Sequence, residues 1–228
     1  MTRILDGRHV VLTGAGGGLG GAVLDALVEA GATCHVPARK AGEVTDRSSV
    51  KVTAGVDLTD EAAVTRFYAA CPPLWASIHL AGGYAGAAFT ETLLADLRRQ
   101  LDLNVTTVFL CCREAVRRMA STPGGGRIVN VSSRAALVPA GGAVAYSASK
   151  GAVSVLTQAL AEEVKGRGIL VNAVAPSIID TPANRAAMPN ADFSRWPTPA
   201  QLATAILWLA SPQNVLTSGA VVPVYGAV

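Results

Sequence analysis

Short apolar segments recur along the chain at residues 9–12, 33–36, 50–54, 76–80, 127–131, 170–175 and 220–224. Their length and their flanking turn residues predict strands. The stretches between them carry a helical period. Val23, Leu24, Leu27 and Val28 share one helix face, with Gly31 placed to stop that helix, and Val153, Leu156, Leu160 and Val164 mark a second stripe. Strands and helices alternating at this rhythm predict right-handed crossovers and a parallel sheet. The apolar excess of the chain fits buried parallel strands plus helix faces, as in a sheet covered on both sides. The predicted class is therefore α/β, a doubly wound sheet of about seven parallel strands with helices on both faces. Residues 122–126 (TPGGG) read as a turn, because a strand follows at once. The segment 181–199 contains Pro182, Pro189 and Pro197 and reads as a loop over a substrate site.

Composition narrows this picture. A chain of 228 residues suits one α/β domain over its whole length, 1–228. Half of its residues are hydrophobic, only 15% are charged, and the mean hydropathy is +0.38. The longest apolar runs, such as residues 169–176, are still far too short to span a bilayer. Net charge is +3, with the basic residues scattered rather than gathered into the stripe of a nucleic-acid binder. Residues 1–7 carry no long apolar segment of a secretory signal. Cys34, Cys71, Cys111 and Cys112 lie in apolar contexts without metal-ligand spacing. Buried thiols of a cytoplasmic protein are expected, and no metal site. Cys111 and Cys112, adjacent on a helix, should point in different directions.

Residues 13–20 read TGAGGGLG, directly between the first strand and the first helix. Gly14, Gly18 and Gly20 allow a tight turn and close backbone approach to a pyrophosphate, at a helix N-terminus that favours anions. The alternative is an ordinary tight turn, but its place in the first βα unit favours a dinucleotide site. At the end of the second strand, an acid would bind ribose hydroxyls and repel a 2′-phosphate. The chain has Ala38-Arg39-Lys40 there, and Arg39 can pair with phosphate, which predicts NADP(H) over NAD(H). Asp57, in VDLTD, could accept from an adenine amino group or cap the helix that starts near Asp60.

Tyr146 and Lys150 stand four apart in YSASK, which places both on one helix face. An ammonium beside a phenol stabilises phenolate and lowers a pKa that is ordinarily near 10. Ser133, at the end of the 127–131 strand, could hold a carbonyl oxygen beside the Tyr146 hydroxyl. His79 reads as a satisfied strand-end histidine rather than a base.

Together, TGAGGGLG, VDLTD, LNVTTVF, VNVSS, YSASK and VNAVAP make the chain resemble the short-chain dehydrogenase/reductases over nearly its whole length. The resemblance implies a seven-stranded Rossmann-type sheet and a tetrad of Asn104, Ser133, Tyr146 and Lys150. Tyr146 would exchange the proton and Ser133 orient the substrate. Lys150 would bind the nicotinamide ribose and depress the tyrosine pKa, and Asn104 would anchor a water in a relay from Lys150. The dinucleotide would lie against Gly14, Gly18, Leu19, Gly20, Arg39, Asp57, Leu58, Ala81, Gly82, Tyr146, Lys150, Pro176, Ile179 and Thr181. A homodimer or homotetramer is implied as well.

Two departures stand out. His79-Leu80-Ala81-Gly82 replaces the family's Asn-Asn-Ala-Gly, which puts local bracing in question. Ser177 stands where Pro-Gly is usual, with strain expected if its φ is positive. Residues 81–86 (AGGYAG) and 180–196 also resemble segments of the dihydropteridine reductases. Tyr84 and Trp196 are then candidate substrate contacts, alongside Ser133. These features predict an NAD(P)(H)-dependent reductase of a ketone or a planar conjugated C=O or C=N substrate, such as a quinonoid pterin. A non-catalytic dinucleotide sensor is the competing reading, and the complete tetrad speaks against it.

Overall fold

A computed structural model describes residues 3–120, 122 and 124–228. Met1, Thr2 and Pro123 of the segments read above lie outside them. Seven parallel strands form one sheet in the order β3-β2-β1-β4-β5-β6-β7. They are β1 (His9–Thr13), β2 (Thr33–Ala38), β3 (Val50–Ala54), β4 (Ala76–His79), β5 (Gly126–Val131), β6 (Ile169–Pro176) and β7 (Val221–Val224). Every predicted strand is present, with ends moved by one or two residues.

Side-chain alternation along the strands builds two cores. On β1, Leu12 packs with Val23, Leu24 and Leu27 of α1 (Gly20–Glu29) and with Ile206 and Leu209 of α8 (Pro199–Ala210). Its neighbour Val11 faces the other way. It packs with Val64 and Phe67 of α2 (Glu61–Ala70), Ala115 of α4 (Thr107–Met119) and Val153 of α6 (Val144–Val164). All four cysteines are free and buried. No helix among the described residues is long and apolar enough to cross a membrane.

Gly31 stops α1 as its sequence position suggests. Its φ is +97°, Gly31 N–H donates to Val28 O at 2.9 Å, and Ala32 N–H donates to Leu27 O at 3.0 Å. This pair of bonds satisfies carbonyls that the helix end leaves open. Gly124 and Gly125 of the predicted TPGGG turn also have positive φ.

One expectation needs correction. Residues 181–199 are not a plain loop. They hold α7 (Pro182–Ala187) and a 3₁₀ turn (Phe193–Arg195), and Pro199 opens α8. Pro182 and Pro199 act as first-turn residues, where a missing N–H costs nothing, rather than as breakers. The stripe on α6 faces the core as its spacing suggests: Val153 and Val164 are buried, and half-buried Leu156 and Leu160 pack against the same cluster while also lining a surface groove beside Phe109 and Val116 of α4.

Candidate active site

The strand order reverses between β1 and β4, both of which neighbour each other at the sheet centre. Crevices at such a point, beyond the carboxyl ends of the strands, are where doubly wound sheets take ligands. A cavity of about 510 Å³ opens there, lined by the glycine turn, the ends of β2 and β4 and residues 56–59.

Each motif glycine has its own reason. Gly14 has φ +71°, and a Cβ there would stand 2.7 Å from Ala81 N. A side chain at Gly18 would meet the Thr181 methyl at 2.9 Å, and one at Gly20 would overlap the carbonyls of Gly14 and Ala15. Leu19 is buried and precedes α1 without a side-chain cap, so the helix N-terminus keeps donors for an anion. A close-approaching backbone, an uncapped helix start and a crevice of this size fit a dinucleotide.

At the far end of the cavity lie Arg39, Asp57 and Leu58. Asp57 does not cap α2. Its Oδ1 accepts from Thr59 N at 2.9 Å and Thr59 Oγ1 at 2.7 Å, and Asp60 caps the helix instead, accepting from Ala62 and Ala63. Those bonds from Thr59, backbone first, hold the Asp57 carboxyl below its ordinary pKa, with Arg39 adding to them. Glu43, which the linear reading passed over, also lines this end. Its Oε2 accepts from Arg39 N at 3.1 Å. Nothing in the local sequence signals that contact, because a reversal at Gly42 (φ +84°) creates it.

The loop after β4 is well braced despite the missing asparagines. Thr13 Oγ1 accepts from Ala81 N at 3.2 Å. Asn104 is fully buried in a π-helical turn (Asp102–Thr106) and grips Gly83 twice. Its Oδ1 accepts from Gly83 N at 3.0 Å, and its Nδ2 donates to Gly83 O at 2.9 Å. Nδ2 also reaches Gln100 Oε1 and Ser149 Oγ, each at 3.1 Å. Asn104 thus clamps the loop that carries Gly82, Gly83 and Tyr84. Oδ1 of Asn104 and Nζ of Lys150 both face Gly82, 2.6 and 3.4 Å from where a Cβ would stand.

Ser133, Tyr146 and Lys150 come from two elements, the β5–α5 junction and α6. Ser133 lies two residues past β5 and caps α5 (Arg134–Leu137), accepting from Ala135 N at 3.2 Å. Tyr146 and Lys150 lie one turn apart on α6. Burial lowers the Lys150 pKa to about 8, and its Nζ donates to Val131 O at 2.9 Å. Burial raises the Tyr146 pKa, Ser133 opposes the rise by hydrogen bonding, and the Tyr84 phenol adds to it. The expected depression of the phenol by Lys150 is therefore not found. The ammonium is engaged with a strand carbonyl, and desolvation dominates at the phenol.

Tyr84 is 70% exposed and meets the Tyr146 ring edge to face. Trp196 is buried and stacks, tilted, on Phe193 at 5.0 Å, which gives it a packing role beneath the 181–199 segment. Pro176 ends β6, and Ser177 follows without strain, since no non-glycine among the described residues has positive φ. The Ser177 hydroxyl donates to Tyr225 O at 2.6 Å. Ile179 O accepts from Asn184 Nδ2, and Thr181 caps α7 while its methyl rests at Gly18. His79 is buried and satisfied, as read from sequence. Its Nδ1 bonds Asn130 Oδ1 and its Nε2 bonds Ser77 Oγ, both at 2.8 Å, and burial lowers its pKa to about 4.

Comparison with known proteins agrees with this arrangement. Residues 8–192 match the family described as short chain dehydrogenase. The chain is 35% identical to a galactitol 2-dehydrogenase of Rhizobium johnstonii, over 96% of this chain and 94% of that protein. It is 30% identical to the rhamnolipids biosynthesis 3-oxoacyl-(acyl-carrier-protein) reductase of Pseudomonas aeruginosa, over 97% and 96%. Among solved structures, a 3-oxoacyl-(acyl-carrier-protein) reductase from Agrobacterium tumefaciens with NADP bound superposes with a TM-score of 0.88. It is 28% identical, with 98% of this chain and 95% of that one covered.

Proposed function

The chain belongs to the short-chain dehydrogenase/reductase family and is an NAD(P)-dependent oxidoreductase; from that premise we propose that it reduces a ketone or a planar conjugated C=O or C=N substrate, pterin-like rings included, with Tyr146 as proton donor. The observation that carries this reading is geometric: Tyr146, with Ser133 as its hydrogen-bond partner, lies one helical turn from Lys150, whose Nζ faces Gly82 on the wall of the dinucleotide-sized crevice. A phenol that holds its proton is an acid, and reduction of a carbonyl consumes one proton at oxygen.

In this reading Gly14, Gly18, Leu19, Gly20, Ala81 and Gly82 hold the pyrophosphate and nicotinamide side of the cofactor. Arg39, Asp57 and Leu58 hold its adenosine side, with NADP(H) favoured over NAD(H) through Arg39. Pro176, Ile179 and Thr181 border the nicotinamide. The bound cofactor supplies the hydride. Ser133 donates a hydrogen bond to the substrate oxygen, and Tyr146 delivers a proton to the same atom. Lys150, whose Nζ donates to Val131 O and faces Gly82, binds the nicotinamide ribose. Asn104 keeps Gly83 and the loop behind it in place. Tyr84 borders the substrate space.

The whole chain acts as one catalytic domain in this proposal, and two or four copies associate through the apolar groove between α4 and α6. Its four buried thiols suit a reducing cytoplasm. The test is oxidation of NADPH followed by absorbance with aliphatic ketones, quinones and quinonoid dihydropterin. Turnover of at least one class supports the reading. A protein that binds cofactor tightly yet reduces none of them is better described as a dinucleotide sensor.

A further inference from the structure

The end of β2 carries Arg39 and no acid, yet the fold returns one to that place. After Arg39 the chain turns back through Gly42, whose φ of +84° suits glycine. Glu43 is thereby brought beside the strand end, where its Oε2 accepts from Arg39 N at 3.1 Å. Its backbone also rests on the glycine turn, 3.3 Å from where a Cβ of Gly16 would stand. The carboxylate is held by Arg39 N and the backbone behind it packs near Gly16, so that Glu43 lines the same cavity as Arg39.

We propose that Glu43 is a second determinant of cofactor choice, set against Arg39: it accepts hydrogen bonds from adenosine ribose hydroxyls and repels a 2′-phosphate. This rests on the dinucleotide reading of the cavity. A carboxylate accepts from a ribose diol in the way an acid at the strand end would. A phosphomonoester in the same place meets one cation, Arg39, and the anions Glu43 and Asp57. The site is then built for both cofactors, with Arg39 favouring NADP(H) and Glu43 keeping NAD(H) bound.

Glu43 is exposed, so its influence is screened by solvent and salt. Removing its charge should change each affinity by at most about fivefold, in opposite directions. The test measures dissociation constants of NADPH and NADH by nicotinamide fluorescence, in wild type, Glu43→Gln and Arg39→Ala. Glutamine keeps an acceptor for Arg39 N, so the turn is preserved. NADPH should bind more tightly and NADH more weakly to Glu43→Gln, moving their ratio about tenfold at low salt and less at 0.5 M salt. A ratio that stays within about twofold of wild type at low salt overturns the proposal, even if Arg39→Ala lowers NADPH affinity and so upholds the assignment of the cavity. Failure of wild type to bind either cofactor would overturn that assignment and this proposal together.

Discussion

The rings of Tyr84 and Tyr146 meet edge to face, with centroids 4.9 Å apart and planes at 75°. Such pairs contribute about 0.5–1.5 kcal/mol beyond burial. Tyr84 is set by its own loop, since Asn104 clamps the neighbouring Gly83, and a side chain at Gly86 would stand 2.6 Å from the Tyr84 hydroxyl. An exposed ring fixed in this way can both wall the substrate space and support the proton donor.

Tyr84→Ala should raise KM for quinonoid dihydropterin or a simple quinone more than for a small aliphatic ketone, by a factor of about 2 to 10 for the loss of one aromatic contact. Steady-state kinetics on the three substrates decide it. Equal losses on all three would mean that Tyr84 serves only to hold Tyr146, and the pterin-like substrate should then be abandoned.

Tyr146→Phe should lower kcat by at least about 10²-fold, as expected for loss of a general acid, and leave cofactor affinity nearly intact. The phenylalanine ring keeps the contact with Tyr84, so folding should be unaffected. Turnover within about threefold of wild type removes Tyr146 from the mechanism.

Arg39→Ala should weaken NADPH by about tenfold, the value of one charge-assisted hydrogen bond of ~1.5 kcal/mol, with little effect on NADH. Fluorescence titration of both cofactors measures it. If Arg39→Ala leaves the ratio of the two affinities within about twofold of wild type, Arg39 confers no preference.

His79 sets an acid limit on stability. Its folded pKa of about 4 lies below the ordinary 6.5 because burial disfavours the charged ring. Between those values the unfolded chain binds a proton that the folded chain refuses, so stability falls as pH drops from 6.5 towards 4 and is unaffected by this group above 6.5. The loss is on the order of 3 kcal/mol, from about 1.4 kcal/mol per pKa unit. Ring nitrogen shifts of His79 should stay those of neutral imidazole at pH 5.5. A titration midpoint near 6.5 would contradict the buried assignment.

Association through the α4–α6 groove predicts a dimer or tetramer at micromolar concentration. Phe109 is half exposed there, beside half-buried Leu156 and Leu160. Phe109→Glu should shift light scattering towards the 23.2 kDa chain. A wild-type protein that is already a monomer would rule the assembly out.

What the sequence by itself determined rests on contiguous residues. Seven strands were visible because each is a short segment rich in apolar residues and bounded by turns, and the glycine turn because its residues follow one another between a strand and a helix. Tyr146 and Lys150 could be set on one face because a helical turn fixes that relation locally. The proline-containing segment misled, since Pro182 looks like a turn residue until its place at the start of α7 is known. What only the tertiary structure decided depends on residues far apart in sequence. Lys150 turns to Val131 O instead of pairing with the phenol, Asn104 closes on Gly83 rather than facing open space, and Trp196 is buried against Phe193. Glu43 is the sharpest case. Its carboxylate supplies at the end of β2 the negative charge that position 39 lacks, because a turn through Gly42 brings it to Arg39 N. Periodicity reports which face of an element is apolar; it carries no term for where a reversed loop leaves a charge.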